Sequence, residues 1–361
     1  MAFQLPEYRE PELSSRPLAS CPDARLERVE TAGVAPAGYH ATTIYPEYVK
    51  LKGDWVLATE SRMDSVIVVG GDGGLDVKEF RRLEPGDMVV VGRREDGSEG
   101  ILVHSDGFES GEALDEPFIF RTGRTRETAY SRDYDRMYDL LNYERENGYI
   151  VWVLGPAVAF DHDSRTAMSS LIESGYAHAV LAGNALATHD VEAALYRTGL
   201  GQDIYTQRSA SSGHYNHLDT LNRAREAGSL RAMVEKGEVA DGIVRTCILN
   251  DVPLVAAGSI RDDGPLPETI TDCAVSQDEM RRHARRATTV IALATQLHAI
   301  ATGNITPSYQ VVDGRVRPVF IYVVDVSEFA VNKLRDRGTL EVTSIVTNVQ
   351  DFLVHLGRKL L

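Results

Sequence analysis

The chain is poor in several features that define whole classes of protein. Cysteine occurs three times in 361 residues, at Cys21, Cys247 and Cys273. Thiols this sparse and this far apart exclude a disulfide framework and a thiolate zinc site, and they fit a reducing compartment. They read as buried or incidental residues, with a lone catalytic thiol as the alternative. No apolar run approaches the length of a membrane span, and Met1 to Glu10 lacks the apolar core of a secretory signal. A cytoplasmic location is therefore expected. Positive charge is in deficit: 38 Lys and Arg face 53 Asp and Glu, a net charge of −15. Nucleic acid and anionic membrane both demand a basic face, so neither is an expected partner. G-x-G-x-x-G after the first buried strand, G-x-x-x-x-G-K-[ST] and H-E-x-x-H are all missing, as are repeats and low-complexity tracts.

What remains is the composition of a globular protein, 43% hydrophobic and 25% charged, long enough for two or three domains. Residues 1–24 read as an irregular, proline-bearing leader. Residues 25–123 carry short β-branched runs, Asp54 to Thr59, Asp64 to Val69, Met88 to Val91 and Gly100 to His104, separated by glycine-rich turns. They predict a small β-rich domain. Residues 124–148 predict a helical linker, because Met137, Leu140 and Leu141 fall at helical spacing among charges.

From residue 149 to 361 the style changes. Tyr149 to Leu154 and Val319 to Val324 are continuous apolar runs, as in strands buried on both faces. Ala177 to Leu181, Ile243 to Leu249 and Pro253 to Ala257 read as further strands. Thr166 to Ser174, Val191 to Tyr196 and Val349 to Leu360 read as helices. Asp278 to Ala301 reads as one long helix with Met280, Ala284, Ala287, Ile291, Ala294 and Leu297 near one face, capped by Gly303-Asn304. Alternating strands and helices predict a Rossmann-like doubly wound α/β domain with a parallel sheet.

In such sheets ligands bind beyond the carboxyl ends of the strands. Four predicted strand ends carry small or polar residues: Gly155-Pro156-Ala157, Ala182-Gly183-Asn184-Ala185, Gly258-Ser259-Ile260-Arg261-Asp262-Asp263-Gly264, and Asp325-Val326-Ser327. Small residues admit close approach of a ligand, helix N-termini there donate to phosphate, and Asp325 is placed to accept from ribose hydroxyls. Each loop alone also reads as a plain turn or cap. His214, His217, Asp219 and His189-Asp190 offer a metal-site alternative, although their spacing matches no metal motif. Lys333 reads either as a desolvated base or as a surface lysine. Arg281-Arg282-His283 with Arg285-Arg286 reads as a solvated helix face or a contact with another subunit, and a homo-oligomer is expected.

Several blocks resemble one family. They are Gly183-Asn184-Ala185-Leu186-Ala187-Thr188-His189-Asp190, the run from Gly258 to Pro267 (GSIRDDGPLP), and the run from Ala294 to Asn304 (ATQLHAIATGN). Gly213-His214 with Asn216-His217-Leu218, Asp336-Arg337-Gly338, Tyr39 to Thr43, Trp55 and Met63-Asp64 belong to the same pattern. They are similar to the LOR/SDH conserved-region family, which includes NAD-dependent ornithine cyclodeaminases and the C-terminal half of bifunctional arginine dihydrolase/ornithine cyclodeaminases. The resemblance runs from about residue 25 to the C-terminus and has no counterpart of the arginine-dihydrolase catalytic domain.

The resemblance implies NAD held by Asn184, Ala185, Gly258, Ser259, Asp263, Thr295, Gln296, Leu297, His298, Gly303, Asn304 and Asp325. It implies conversion of ornithine to proline and ammonia by internal hydride transfer through an imine, with Asp262, Lys333 and His217 as candidate catalytic groups. The chain departs from the family pattern at Ala159-Phe160-Asp161-His162, at Arg124-Thr125-Arg126-Glu127 and at Val326-Ser327-Glu328. Those departures leave open a cyclodeaminase, dehydrogenase or epimerase acting on another amine. A metal-dependent hydrolase and a non-catalytic binding module are the remaining alternatives.

Overall fold

The computed structural model describes residues 3–108, 130–327 and 340–361. Residues 25–103 form the β-rich part. Arg25–Arg28, Met88–Val91, Val66–Val69 and Leu75–Lys78 make a four-stranded antiparallel sheet. Alternation along the strands sends Val66, Val68 and Val89 to one apolar cluster and Ile67, Val77 and Val90 to another, so both faces are buried. A second sheet joins Asp54–Leu57, Glu47–Leu51 and Ile101–Val103. The chain later returns to this part: the hairpin Tyr309–Val312 and Arg315–Pro318 pairs with Glu60–Ser61. The leader is largely irregular, yet it is anchored. Lys50 Nζ donates to the carbonyls of Ala19 and Cys21, and Phe3 packs on Tyr143 and Phe320.

Helix α1 (Tyr130–Asn147) leads into the α/β part and buries Met137, Leu140 and Leu141. The sheet contains β1 (Ile150–Leu154), β2 (Ala179–Gly183), β3 (Leu254–Ala257), β4 (Thr289–Leu293), β5 (Phe320–Asp325) and β6 (Glu341–Val346), all parallel. Their spatial order is β3-β2-β1-β4-β5-β6. That is the order in which a doubly wound sheet reverses direction, with its switch point between β1 and β4. The connecting helices are α2 (His162–Glu173), α3 (Asn184–Tyr196), α4 (Asn216–Ala227), α5 (Leu230–Glu235), α6 (Ile243–Leu249), α7 (Cys273–Ala284) and α8 (Gln296–Ile305), with α9 (Val349–Leu360) last. Trp152, Leu154, Ile291 and Tyr322 face one apolar cluster, Val151, Val153, Val290 and Ala292 the other. Helices therefore cover both faces. Among the described residues no helix is long and apolar enough to cross a membrane.

Two sequence expectations are corrected. Ile243–Leu249 is helix α6, not a strand. Gly242 turns the chain at φ +105°, and the Asp190 carboxylate accepts from the Ile243 and Val244 N–H groups. A distant residue thus caps this helix, which no local pattern reveals. The expected long helix over Asp278–Ala301 is in fact α7, β4 and α8 in succession. Alanine-rich apolar runs satisfy both periods, and here pairing of Val290 with Val151 of β1 and Ile321 of β5 imposes the strand. Gly303 and Asn304 consequently do not cap a helix; they lie inside α8, which runs on to Ile305.

Candidate active site

A cavity of about 520 Å³ opens at the switch point, beyond the carboxyl ends of β1, β2, β3 and β4. Its size is that of a small-molecule or cofactor site. Gly155 and Pro156 line it after β1, Gly183 to Leu186 after β2, Ser259, Arg261 and Asp262 after β3, and Ala294 to His298 after β4.

Close backbone approach makes this geometry. Gly155 N donates to Leu293 O at 2.8 Å, and a Cβ on Gly155 would lie 1.9 Å from the Ala294 carbonyl oxygen. Only glycine fits there. Ala294 sits at φ +48°, a left-handed conformation that an alanine adopts at a cost of about 1 kcal/mol or more. The strained residue links β4 to α8 at the mouth of the cavity. At Gly183 a Cβ would come within 2.7 Å of the His298 imidazole, so a larger residue there would displace that ring.

The loop after β3 is held in shape by its own polar groups. Ser259 N donates to Asp262 Oδ2 at 2.6 Å, Asp262 N to Ser259 O at 3.0 Å, and Arg261 N to Ser259 Oγ at 3.2 Å. Asn184 Oδ1 accepts from Leu266 N at 2.9 Å and Thr269 Oγ1 at 3.0 Å, tying the β2 and β3 loops together. Burial pushes the His298 imidazole below its ordinary value, the Arg261 charge adds to this, and Asp262 opposes it. His298 is therefore a neutral hydrogen-bonding group near pH 7.

Helix N-termini of the α/β part differ in their capping, and α4, which starts away from the cavity lining, has no side-chain cap. Side chains cap α2 (Asp161), α5 (Ser229), α7 (Asp272) and α9 (Asn348). The two helices that start on the cavity, α3 and α8, have no side-chain cap. Gly183 has no side chain to offer, and the Thr295 hydroxyl lies 3.4 Å from His298 Nδ1 instead. Uncapped first-turn N–H groups carry a positive partial charge and suit phosphate oxygens. This donor set, with glycines beside it, fits a dinucleotide.

Of the residues singled out in the sequence, Asn184, Ala185, Ser259, Asp262 and Thr295 to His298 line the cavity, with Gly258 immediately beside them. Asp263 is exposed and does not line it. Gly303 and Asn304 are set roughly 10 Å along α8 from its start. Asp325 ends β5 and accepts from Ser327 N at 3.0 Å, outside the cavity lining. His217 lies in the first turn of α4, against His189, with ring centroids 6.3 Å apart; His189 in turn pairs with Glu192 at 2.7 Å. Lys333, Arg124 to Glu127, Glu328 and Asp336 to Gly338 lie outside the described residues. Among the described residues no group of three or more His, Cys, Asp and Glu side chains gathers as metal ligands do.

Sequence reasoning missed Ala294 as a strand end, because β4 was hidden in a helical pattern. The β-branched run Thr288-Thr289-Val290-Ile291 was the signal available. Arg261 stood within a recognised loop without being singled out as a site residue.

A six-stranded parallel sheet in this order, with a crevice at its switch point, defines a Rossmann-type protein. Comparison with known proteins sharpens that class. Residues 137–356 match the profile "Arginine dihydrolase ArgZ-like, C-terminal, Rossmann fold", and residues 46–120 match the first region of the same C-terminal unit. The chain belongs to this family, as a divergent member of the ornithine cyclodeaminase group.

A protein of Methanopyrus kandleri named ornithine cyclodeaminase is 40% identical, over 94% of this chain and 78% of its own length. The bifunctional arginine dihydrolase/ornithine cyclodeaminase AgrE of Nostoc is 34% identical over 94% of this chain and 47% of its own. Among solved structures, a LOR/SDH protein from Methanococcus maripaludis S2 has a TM-score of 0.84 at 36% identity, covering 94% of this chain and 98% of that one. A ternary complex of AgrE with ornithine and NAD+ has a TM-score of 0.59 at 33% identity, covering 94% and 47%.

Proposed function

We propose that the chain is an NAD-dependent ornithine cyclodeaminase, converting L-ornithine to L-proline and ammonia. The observation that carries this reading is the pair of uncapped helix N-termini, α3 and α8, opening on one switch-point crevice. The relative AgrE, crystallised with ornithine and NAD+, supports it. Bound NAD supplies reversible hydride transfer, out from the substrate Cα and back again, so net redox change is zero.

The chain's own residues do the rest. First-turn N–H groups of α3 and α8 hold the pyrophosphate. Asp262, braced by Ser259 N, takes the proton from the substrate α-ammonium as the hydride leaves. Neutral His298 hydrogen-bonds without adding positive charge beside an electron-poor carbon. The reaction needs water kept from the imine until the δ-amine has attacked and ammonia has left.

Denaturing the purified protein and identifying the released nucleotide is the first test, and incubation with ornithine the second. Proline and ammonia without net NADH support the reading. Absence of a bound dinucleotide would remove it, and a released dinucleotide without turnover of ornithine would move the assignment to another amine.

A further inference from the structure

Interior arginines of this chain close on carboxylates: Arg165 on Asp190, Arg317 on Glu144, Arg285 on Glu60. Arg261 does not. It is exposed, has no carboxylate partner among the described residues, and is the one Lys or Arg in the cavity lining. Its neighbour Asp262 lines the same wall. The turn from Ser259 to Asp262 fixes both backbones, so consecutive residues present opposite charges to the crevice. An α-amino acid carries its own opposite charges on one carbon, a carboxylate and an ammonium. The phosphates of a dinucleotide already have donors in the α3 and α8 N-termini, which leaves this cation for another anion.

We infer that Arg261 holds the α-carboxylate of the amino-acid substrate, beside an ammonium facing Asp262. The inference rests on the cyclodeaminase reading above. A guanidinium matches a carboxylate in geometry as well as charge. In a chain of net charge −15, a local cation also draws an anionic group to an otherwise repelling surface. The carboxylate is present in both ornithine and proline, so the contact persists through the reaction. Its loss should therefore act on KM more than on kcat.

The test compares Arg261→Gln and Arg261→Lys with the unchanged enzyme. Arg261→Gln should raise the KM for ornithine about tenfold to a hundredfold, with the Kd for NAD and the melting temperature unchanged. Arg261→Lys should recover part of the loss. Two competitive inhibitors locate the contact. L-2-aminopentanoate, which keeps the carboxylate, should bind the Gln variant about tenfold or more weaker. 1,4-Diaminobutane, which lacks it, should bind both enzymes equally.

A raised Kd for NAD with both inhibitors unaffected would assign Arg261 to a phosphate and overturn the inference. Unchanged KM and inhibition would overturn it as well. Failure of the underlying reading shows itself earlier, in the unsubstituted protein, as no released dinucleotide or no proline.

Discussion

The β-rich part and the switch-point crevice treat their polar groups in opposite ways. In the β-rich part the buried charged side chains are paired internally, although Ser65 Oγ is buried there without a partner. Glu47 is fully buried and accepts from His40 Nε2 at 2.8 Å and Thr43 Oγ1 at 2.7 Å, while Arg62 closes on Glu79 and Lys50 on backbone carbonyls. At the crevice, two helix N-termini stand without side-chain caps and Arg261 has no carboxylate partner among the described residues. A closed polar network stabilises and specifies a fold. Donors gathered without partners at one cleft are what a charged ligand needs, and they come at the expense of stability.

The largest expected effect comes from forcing the crevice apart. Gly155→Ala would press a methyl group against the Ala294 carbonyl, backbone against backbone, with no flexible neighbour to yield. A loss of about 3 kcal/mol in urea-unfolding stability is expected, together with loss of bound dinucleotide. A second change addresses the chemistry. Asp262→Asn keeps an oxygen for Ser259 N but cannot take a proton, so kcat should fall about a hundredfold with the melting temperature unchanged. A fall of less than about threefold would move the base elsewhere.

Thr295→Asp attacks the contrast directly. An Asp cap on α8 should stabilise the ligand-free protein by about 0.5–1 kcal/mol and weaken dinucleotide binding, because the new charge competes for the same N–H groups. Thermal melts with and without NAD would read both effects at once.

The smallest effect is a pH slope. Burial holds His178, His283 and His298 below the ordinary value of 6.5, so the unfolded chain binds their protons more readily. Their stabilising contribution is complete above pH 6.5 and declines as pH falls through it. Urea midpoints should drop on that side, and His178→Asn should make the slope shallower.

The sequence was legible where a local pattern has one meaning. Tyr149 to Leu154 and Val319 to Val324 are too apolar for any place but a sheet interior, and they are β1 and β5. The blocks at Asn184, Ser259 and Thr295 stood out by their resemblance to one family, and they meet at one cavity. The β4 strand was overlooked because the alanines and leucines around its short β-branched run also fit a helical period. Helix α6 was illegible because its cap, Asp190, sits on another helix.

Composition and pattern alone therefore determined a parallel α/β unit after a β-rich one, with small and polar residues at its strand ends, and the family came from the resemblance of whole loop blocks. Tertiary structure decided which loops face each other. Strand order set β1 beside β4, and that adjacency made Gly155 indispensable. It also left Asp325 and Gly303 outside the cavity lining and brought Arg261 into it. Local sequence encodes which groups exist, whereas hydrogen-bonded neighbours from distant segments decide which of them remain open to a ligand.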